Sequence, residues 1–417
     1  MDFFSDIPLP LLIAALLAFY MAWAIGANDV ANAMGTSVGS GALTIGGAII
    51  VAAIFEFAGA FLAGGHVTDT VRKGMLDMSL LDRDQLIYGM LASLASAGTL
   101  LIGATRFGLP ISTTHSIVGA IVGFGAVAIG IDAVNWPKVL QIALSWITSP
   151  LLAGVIAFGI FHLIRSTILN ETDPVRQIRK YGPAFFFFVF FIIGLVTLFK
   201  GLKHINLDLN LIQALAGSTA LGFLGAGIGA FFIRRVQIGK TDPNHRFDQV
   251  ERIFVVLQIL TACAIAFAHG SNDVANAIGP LAAIVNAVEN VDLTAKAPVA
   301  PWMLAIGGLG IVIGLATWGY RVMETVGKKI TELTPSRGFA AQLAAASTIV
   351  LASRLGIPIS TTHTLVGAVL GVGLARGITA LDLRVVGNIL ASWIATLPIA
   401  AALSVFFYFF FKGLLSA

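Results

Sequence analysis

Two polar strings recur in this chain, in the same order and almost unchanged. NDVANA stands at 28–33 and again at 272–277, and GLPISTTHSIVGA at 108–120 returns as GIPISTTHTLVGA at 356–368. The copies are 244 and 248 residues apart. Fainter echoes keep the order: VTDTVRKG (67–74) with VMETVGKK (322–329), and SWITSP (145–150) with SWIATLP (392–398). Whatever the chain folds into must hold one structural unit twice.

That unit is embedded in a membrane. No charged residue falls between Ile7 and Ile25, close to the ~20 apolar residues that carry a helix across a bilayer. Only 11% of the chain is charged, against about 25% in soluble domains. Hydropathy predicts an all-α polytopic membrane protein with twelve transmembrane segments, at 8–27, 42–64, 85–104, 111–131, 138–164, 183–200, 208–233, 252–271, 301–319, 339–354, 361–378 and 385–411. The stretches 27–36, 104–116, 271–281 and 354–364 predict broken or re-entrant helices, because they concentrate Gly, Pro, Ser and Thr. The N-terminal MDFFSDIP carries two acids and no basic residue, so it is not read as a cleavable signal.

Lys and Arg cluster in the loops 165–182, 234–252 and 320–338, which places those loops inside and both termini outside. The same loops account for the net charge of +4, so no nucleic-acid partner is expected. The two copies begin seven spans apart. Seven is odd, so the second copy enters from the opposite face, an inverted-topology repeat. The chain divides into a first repeat (1–164), two intervening spans with cytoplasmic loops (165–251) and a second repeat (252–417). The run FFFFVFF at 185–191 is expected to face lipid. Cys263, the single cysteine, is expected as a small packing residue.

The repeated strings carry two opposite chemistries. An ionisable residue at membrane depth costs at least ~2.5 kcal/mol on insertion scales and therefore faces a partner or a cavity. Asp29 and Asp273 are such residues, flanked by Asn28, Asn32, Asn272 and Asn276. Gly26, Gly35, Gly270 and Gly279 are expected to let the backbone unwind. Freed carbonyls, amide oxygens and a carboxylate then make a hard oxygen cage for Na⁺ or H⁺. The competing assignment makes each aspartate a cap on a broken helix. In the second string, Ser112, Thr113 and Thr114, with Ser360, Thr361 and Thr362, follow Pro110 and Pro358. The prolines suit a helix start and the serines suit its cap. Free N–H groups there, with added hydroxyls, form an anion site, unless the hydroxyls bond back to their own helix. His115 and His363 are expected to pack or to support that site. Arg106 and Arg354 are expected at the mouths of a pathway. No Lys or Arg lies inside the motifs, so cations must separate the anion from the aspartates, which couples the two fluxes.

The strings GANDVANA and PISTTH resemble the inorganic phosphate transporter (PiT) family, prokaryotic type, over essentially the whole chain. The resemblance implies a secondary active transporter that imports inorganic phosphate by symport with sodium, or with protons, through alternating access in the cell inner (plasma) membrane. It implies sodium at Asp29, Asn32, Asp273 and Asn276, and phosphate among Ser112, Thr113, Thr114, Ser360, Thr361 and Thr362. Glu56, in IFEFAGAFLAG, matches a glutamate required for transport. Gln342, in GFAAQL, stands where some eukaryotic relatives carry a second one, which leaves the coupling ion open. No cofactor beyond the coupling ion is expected, and a homodimer is an expected assembly. Sulfate, carried by some relatives, is the alternative substrate. An intramembrane hydrolase or an ion channel is remote. The protease string G-x-G-D is absent, a hydrolase has one centre between unlike motifs, and a channel needs a continuous pore.

Overall fold

The computed structural model describes residues 8–66, 75–76, 80–198, 209–235, 246–289, 299–354 and 359–416. The VTDTVRKG string and Pro358 lie outside them. The described residues form thirteen α-helices and no strand: α1 (Leu9–Gly39), α2 (Ile45–Ala63), α3 (Arg83–Arg106), α4 (Thr113–Ala128), α5 (Trp136–Ile164), α6 (Pro174–Val196), α7 (Leu211–Arg235), α8 (Arg246–Glu289), α9 (Pro301–Trp318), α10 (Tyr320–Glu324), α11 (Pro335–Arg354), α12 (Thr361–Arg376) and α13 (Leu383–Leu415). Helices suit a membrane because each satisfies its own backbone groups.

Among the described residues, nine helices are long and apolar enough to cross a membrane, fewer than the twelve expected. Helices α4 and α12 have 16 residues each, or ~24 Å at 1.5 Å per residue, short of a ~30 Å hydrocarbon core. Helix α11 has 20 residues, but Arg337, Gln342, Ser347 and Thr348 keep it from being continuously apolar.

The larger departure is at the NDVANA strings. Helices α1 and α8 run through them without a break, so the expected unwinding does not occur. Of the flanking glycines, Gly26 and Gly270 serve close approach instead. A Cβ on Gly26 would lie 1.9 Å from the Ile311 carbonyl oxygen, and one on Gly314 1.9 Å from that of Trp23. In the other half, Gly59 would meet Phe267 O at 2.0 Å and Gly270 would meet Glu56 O at 2.1 Å. Helix α1 thus crosses α9, and α8 crosses α2, backbone against backbone, the small-residue packing that membrane helices use in place of a hydrophobic driving force.

Other pairings also come in matched sets. Helix α4 packs on α13 and α12 on α5; α1 packs on α3 and α8 on α11. Residues 24–37 of α1 and 273–287 of α8 are buried throughout, so these two helices form the axis of the bundle. Leu140, Leu144, Ile147, Leu151 and Val155 of α5 are exposed, an apolar stripe suited to lipid. The phenylalanine run is not such a stripe. Phe185 and Phe186 are buried, Phe185 packs on Phe254 and Phe339, and Phe186, Phe187 and Phe190 fill the space over Gly229, Gly222 and Gly225 of α7. Of that run, Phe188 is the residue that turns outward, at 52% exposure. The glycine face of α7 gives the rings a deeper contact than lipid would.

Candidate functional site

Asp29 and Asp273 come from the interiors of α1 and α8 and are each 1% exposed. They meet at His269, whose Nε2 lies 2.7 Å from Asp273 Oδ2 and 4.0 Å from Asp29 Oδ2. Neither aspartate stands at a helix end, which removes the capping assignment. Asp29, His269 and Asp273 also form the group of buried ligand atoms, all within 4.8 Å of one another, with the spacing to hold an ion.

Two helix N-termini converge on the same centre. Ser112 caps α4 by accepting from His115 N, and Ser360 caps α12 by accepting from His363 N, both at 3.2 Å. The helices start at Thr113 and Thr361, not at the prolines. Pro110 stays in the approach segment, where its carbonyl accepts from Trp393 Nε1 at 3.2 Å. Gly108, with φ of +66°, allows the tight reversal between α3 and α4, since that backbone region strains any residue with a Cβ.

The first turn of each short helix reaches the aspartates. Thr113 donates to Asp29 Oδ2, and its repeat counterpart Thr361 donates to Asp273 Oδ2 at 3.1 Å. Thr362 donates to Asp29 Oδ1 at 3.3 Å and accepts from Asn32 Nδ2 at 2.8 Å. The acidic and hydroxyl strings therefore form one buried centre. Thr114 is buried beside them. Asn32 Oδ1 and Asn276 Nδ2 are buried without a hydrogen-bond partner, although such atoms are normally satisfied. Asn272 is half-buried and donates to Asp273 Oδ1 at 2.7 Å.

Other expected site residues take supporting positions. Asn28 donates to Thr105 Oγ1 at 2.9 Å and to Leu109 O at 3.1 Å, and accepts from Ile111 N at 3.2 Å. It pins the α3–α4 turn. Gln342 donates to Ala33 O and Ser37 Oγ, both at 3.0 Å, and accepts from Thr261 at 3.1 Å, tying α11 to α1 and α8. Ser37 sits in GTSVG (35–39), which has the spacing of a serine-hydrolase string, but it lies buried inside α1 and not on an exposed elbow. His115 and His363 are buried edge to face, with centroids 4.3 Å apart, between Trp146 and Trp393. Arg106 ends α3 in an exposed position, and the side chain of Arg354 lies outside the described residues. Cys263 is half-buried.

Glu56 is fully buried, and its Oε1 lies 3.3 Å from His269 Nδ1. His269 itself was missed by motif reading. Its signal was present: a lone basic residue in an apolar run, at i,i+4 from Asp273, shares that residue's helix face.

If the converging hydroxyls form the anion site that the sequence resemblance implies, their removal is expected to weaken phosphate binding more than cation binding. Each hydrogen bond to a charged group is worth ~1.5–3 kcal/mol, or about ten- to a hundredfold in affinity. Ser112→Ala, Thr113→Val and Ser360→Ala should each raise the phosphate KM, measured at saturating cation. Three unchanged values would move the anion site elsewhere.

Comparison with known proteins gives concordant matches. The model of the phosphate transporter family matches residues 25–404. A protein of Haemophilus influenzae is 48% identical over 400 residues, covering 95% of each chain. The inorganic phosphate transporter 2-1 of Arabidopsis thaliana chloroplasts is 45% identical over 435 residues, covering 96% of this chain and 72% of its own. A solved structure described as the sodium-dependent phosphate transporter superposes with a TM-score of 0.88 at 42% identity, covering 97% of this chain and 99% of that one.

Proposed function

Since the chain belongs to the phosphate transporter family, we propose that it imports inorganic phosphate across an inner membrane in symport with sodium, by alternating access around the Asp29–Asp273 centre. It is a multi-pass membrane transporter and not an enzyme. One observation carries the proposal. The hydroxyl-bearing helix N-termini and both aspartates share a single buried centre. Cation and anion then bind within one electrostatic neighbourhood. Buried carboxylates are costly unless paired, and an oxyanion beside them raises that cost. Sodium ions between Asp29, Asp273 and the anion relieve both, so each ligand favours the other. In this reading the hydroxyls of Thr113, Thr361 and Thr362 turn from the aspartates to phosphate once cations take the carboxylates, and Asn32 and Asn276 complete the cation shell. The oxygen-rich donors suit a hard cation, and the solved relative's description as sodium-dependent points the same way.

The matched crossings α1–α9 and α8–α2 support two copies of one structural unit. Treating the α3–α4 pair as a re-entrant hairpin subtracts two crossings from seven, which leaves an odd number and the same inversion. A cysteine placed at Asp69, in a Cys263→Ser background, is expected to react with a membrane-impermeant thiol reagent added to intact cells, and one placed at Glu324 only once the cells are opened. Labelling of both from the same face would sink the inversion.

The function itself is tested in liposomes. Radiolabelled phosphate should enter under an inward sodium gradient, and unlabelled sulfate should compete poorly. Uptake driven only by a proton gradient would reassign the coupling ion, and stronger competition by sulfate would reassign the substrate.

A further inference from the structure

The two halves match position for position at their helix crossings, with the glycines kept in both and apolar residues exchanged for ionisable ones at one pair of positions. A step of 244 residues takes Trp23 to Phe267 and Gly26 to Gly270, and a step of 255 takes Gly59 to Gly314. These are the residues whose backbones touch in the two crossings. By the same steps, Glu56 corresponds to Ile311 and His269 to Ile25. Ile25 and Ile311 are both fully buried. One crossing thus holds two isoleucines where the other holds a carboxylate and an imidazole.

The exchange is paired, because His269 Nδ1 lies 3.3 Å from Glu56 Oε1. It is also directed. On its other edge the ring lies 2.7 Å from Asp273 and 4.0 Å from Asp29. All four side chains are at most 2% exposed. Glu56 makes no hydrogen bond in the described structure, and its charged contact is with His269. These are charge contacts and not aligned hydrogen bonds, so the ring acts as the basic spacer among three buried carboxylates. A buried polar pair costs stability relative to well-packed apolar groups, and two isoleucines fill the same place in the other half. The pair is retained at a cost, at the one point where both motif aspartates meet.

We propose that Glu56 and His269 are a positioning pair that links the two cation sites: Glu56 holds the imidazole ring between Asp273 and Asp29, so that the geometry of one aspartate depends on the state of the other. The pair makes the two sites unequal, with Asp273 in direct contact with the ring and Asp29 further away. Glu56 acts on transport through His269, without touching phosphate or sodium. The inference rests on the sodium-coupled function proposed above.

The test measures sodium response in the full-length protein, by uptake at saturating phosphate and by sodium-induced thermal stabilisation in detergent without phosphate. Binding to the folded state adds RT ln(1 + [Na⁺]/Kd) to its stability, so the rise of the melting midpoint with sodium reports the dissociation constant. In Glu56→Gln and His269→Gln, half-saturating sodium should rise about tenfold, within the usual range for coupling between sites, and the Hill coefficient should fall toward one. Phosphate KM at saturating sodium should stay near the parent value, and a role in folding alone would lower Vmax without moving the sodium curve. The double variant should be no worse than His269→Gln, because residues acting in series are non-additive. Glu56→Asp should recover part of the cooperativity, and Ile311→Val should change nothing. Should His269→Gln fail to fold, Glu56→Gln decides alone. A parent-like sodium curve and Hill coefficient in Glu56→Gln, or additive losses in the double variant, would overturn the pairing while leaving sodium coupling intact. A parent protein with no sodium response would overturn the coupled function instead.

Discussion

Asn in place of either Asp29 or Asp273 should leave a folded protein that no longer moves phosphate on a sodium gradient. The substitution keeps shape and an oxygen acceptor and removes one charge. Both carboxylates are buried and already bonded to threonine hydroxyls, which an amide oxygen can still accept. What the amide cannot do is balance a cation. Losing a charged ligand worth ~1.5–3 kcal/mol raises half-saturating sodium by about ten- to a hundredfold. The loss should track the driving ion and persist at high phosphate. Uptake by reconstituted protein across a sodium titration measures it, and parent-like dependence in both variants would leave the aspartates without a role in coupling. Because α1 and α8 run through the motifs, a capping role no longer predicts anything for these positions.

The other large effect is on the fold. Ala at Gly26 or Gly314 should prevent α1 and α9 from closing. Each added Cβ would lie 1.9 Å from a carbonyl oxygen of the opposing helix, and the obstacle is backbone, which cannot rotate away. Ordinary overpacking costs ~1–3 kcal/mol, and these sites should reach or exceed about 3 kcal/mol. The melting midpoint in detergent should drop steeply for Gly26→Ala, Gly314→Ala and their counterparts Gly59→Ala and Gly270→Ala. Gly46→Ala and Gly103→Ala are the controls, since no atom lies within 4 Å of a Cβ there. Equal midpoints across the two groups would mean that the helices do not touch as described.

The helical class, the duplicated strings and the helix-capping serines were all legible in the sequence, because hydropathy and repetition are local properties. The role of Gly26 and Gly270 was not legible there. A glycine in a polar string fits either an unwound turn or a close crossing, and only the partner helix distinguishes them. For Gly26 that partner is Ile311, far away in the chain. The phenylalanine run failed for the same reason, since lipid and a glycine-lined helix face call for the same apolar residues. In the sequence the short helices α4 and α12 read as spans because hydropathy continues past their ends, into Ile129 and the segment after Arg376. His269 is silent in the repeat because it lies three residues before the second NDVANA string and has an isoleucine as its counterpart.

The unbroken course of α1 and α8 has a consequence for how this centre can vary. An intact helix spends its carbonyl oxygens on its own hydrogen bonds, so the ligands that these two helices offer an ion are side chains. Backbone ligands are invisible to mutation, because every residue type supplies the same carbonyl. Each ligand from α1 and α8 is written by its own codon. Ion preference in this centre can therefore drift one residue at a time, and a saturation library over Asn28–Asn32, Glu56 and His269–Asn276 covers much of the sequence space in which a change of coupling ion would be found.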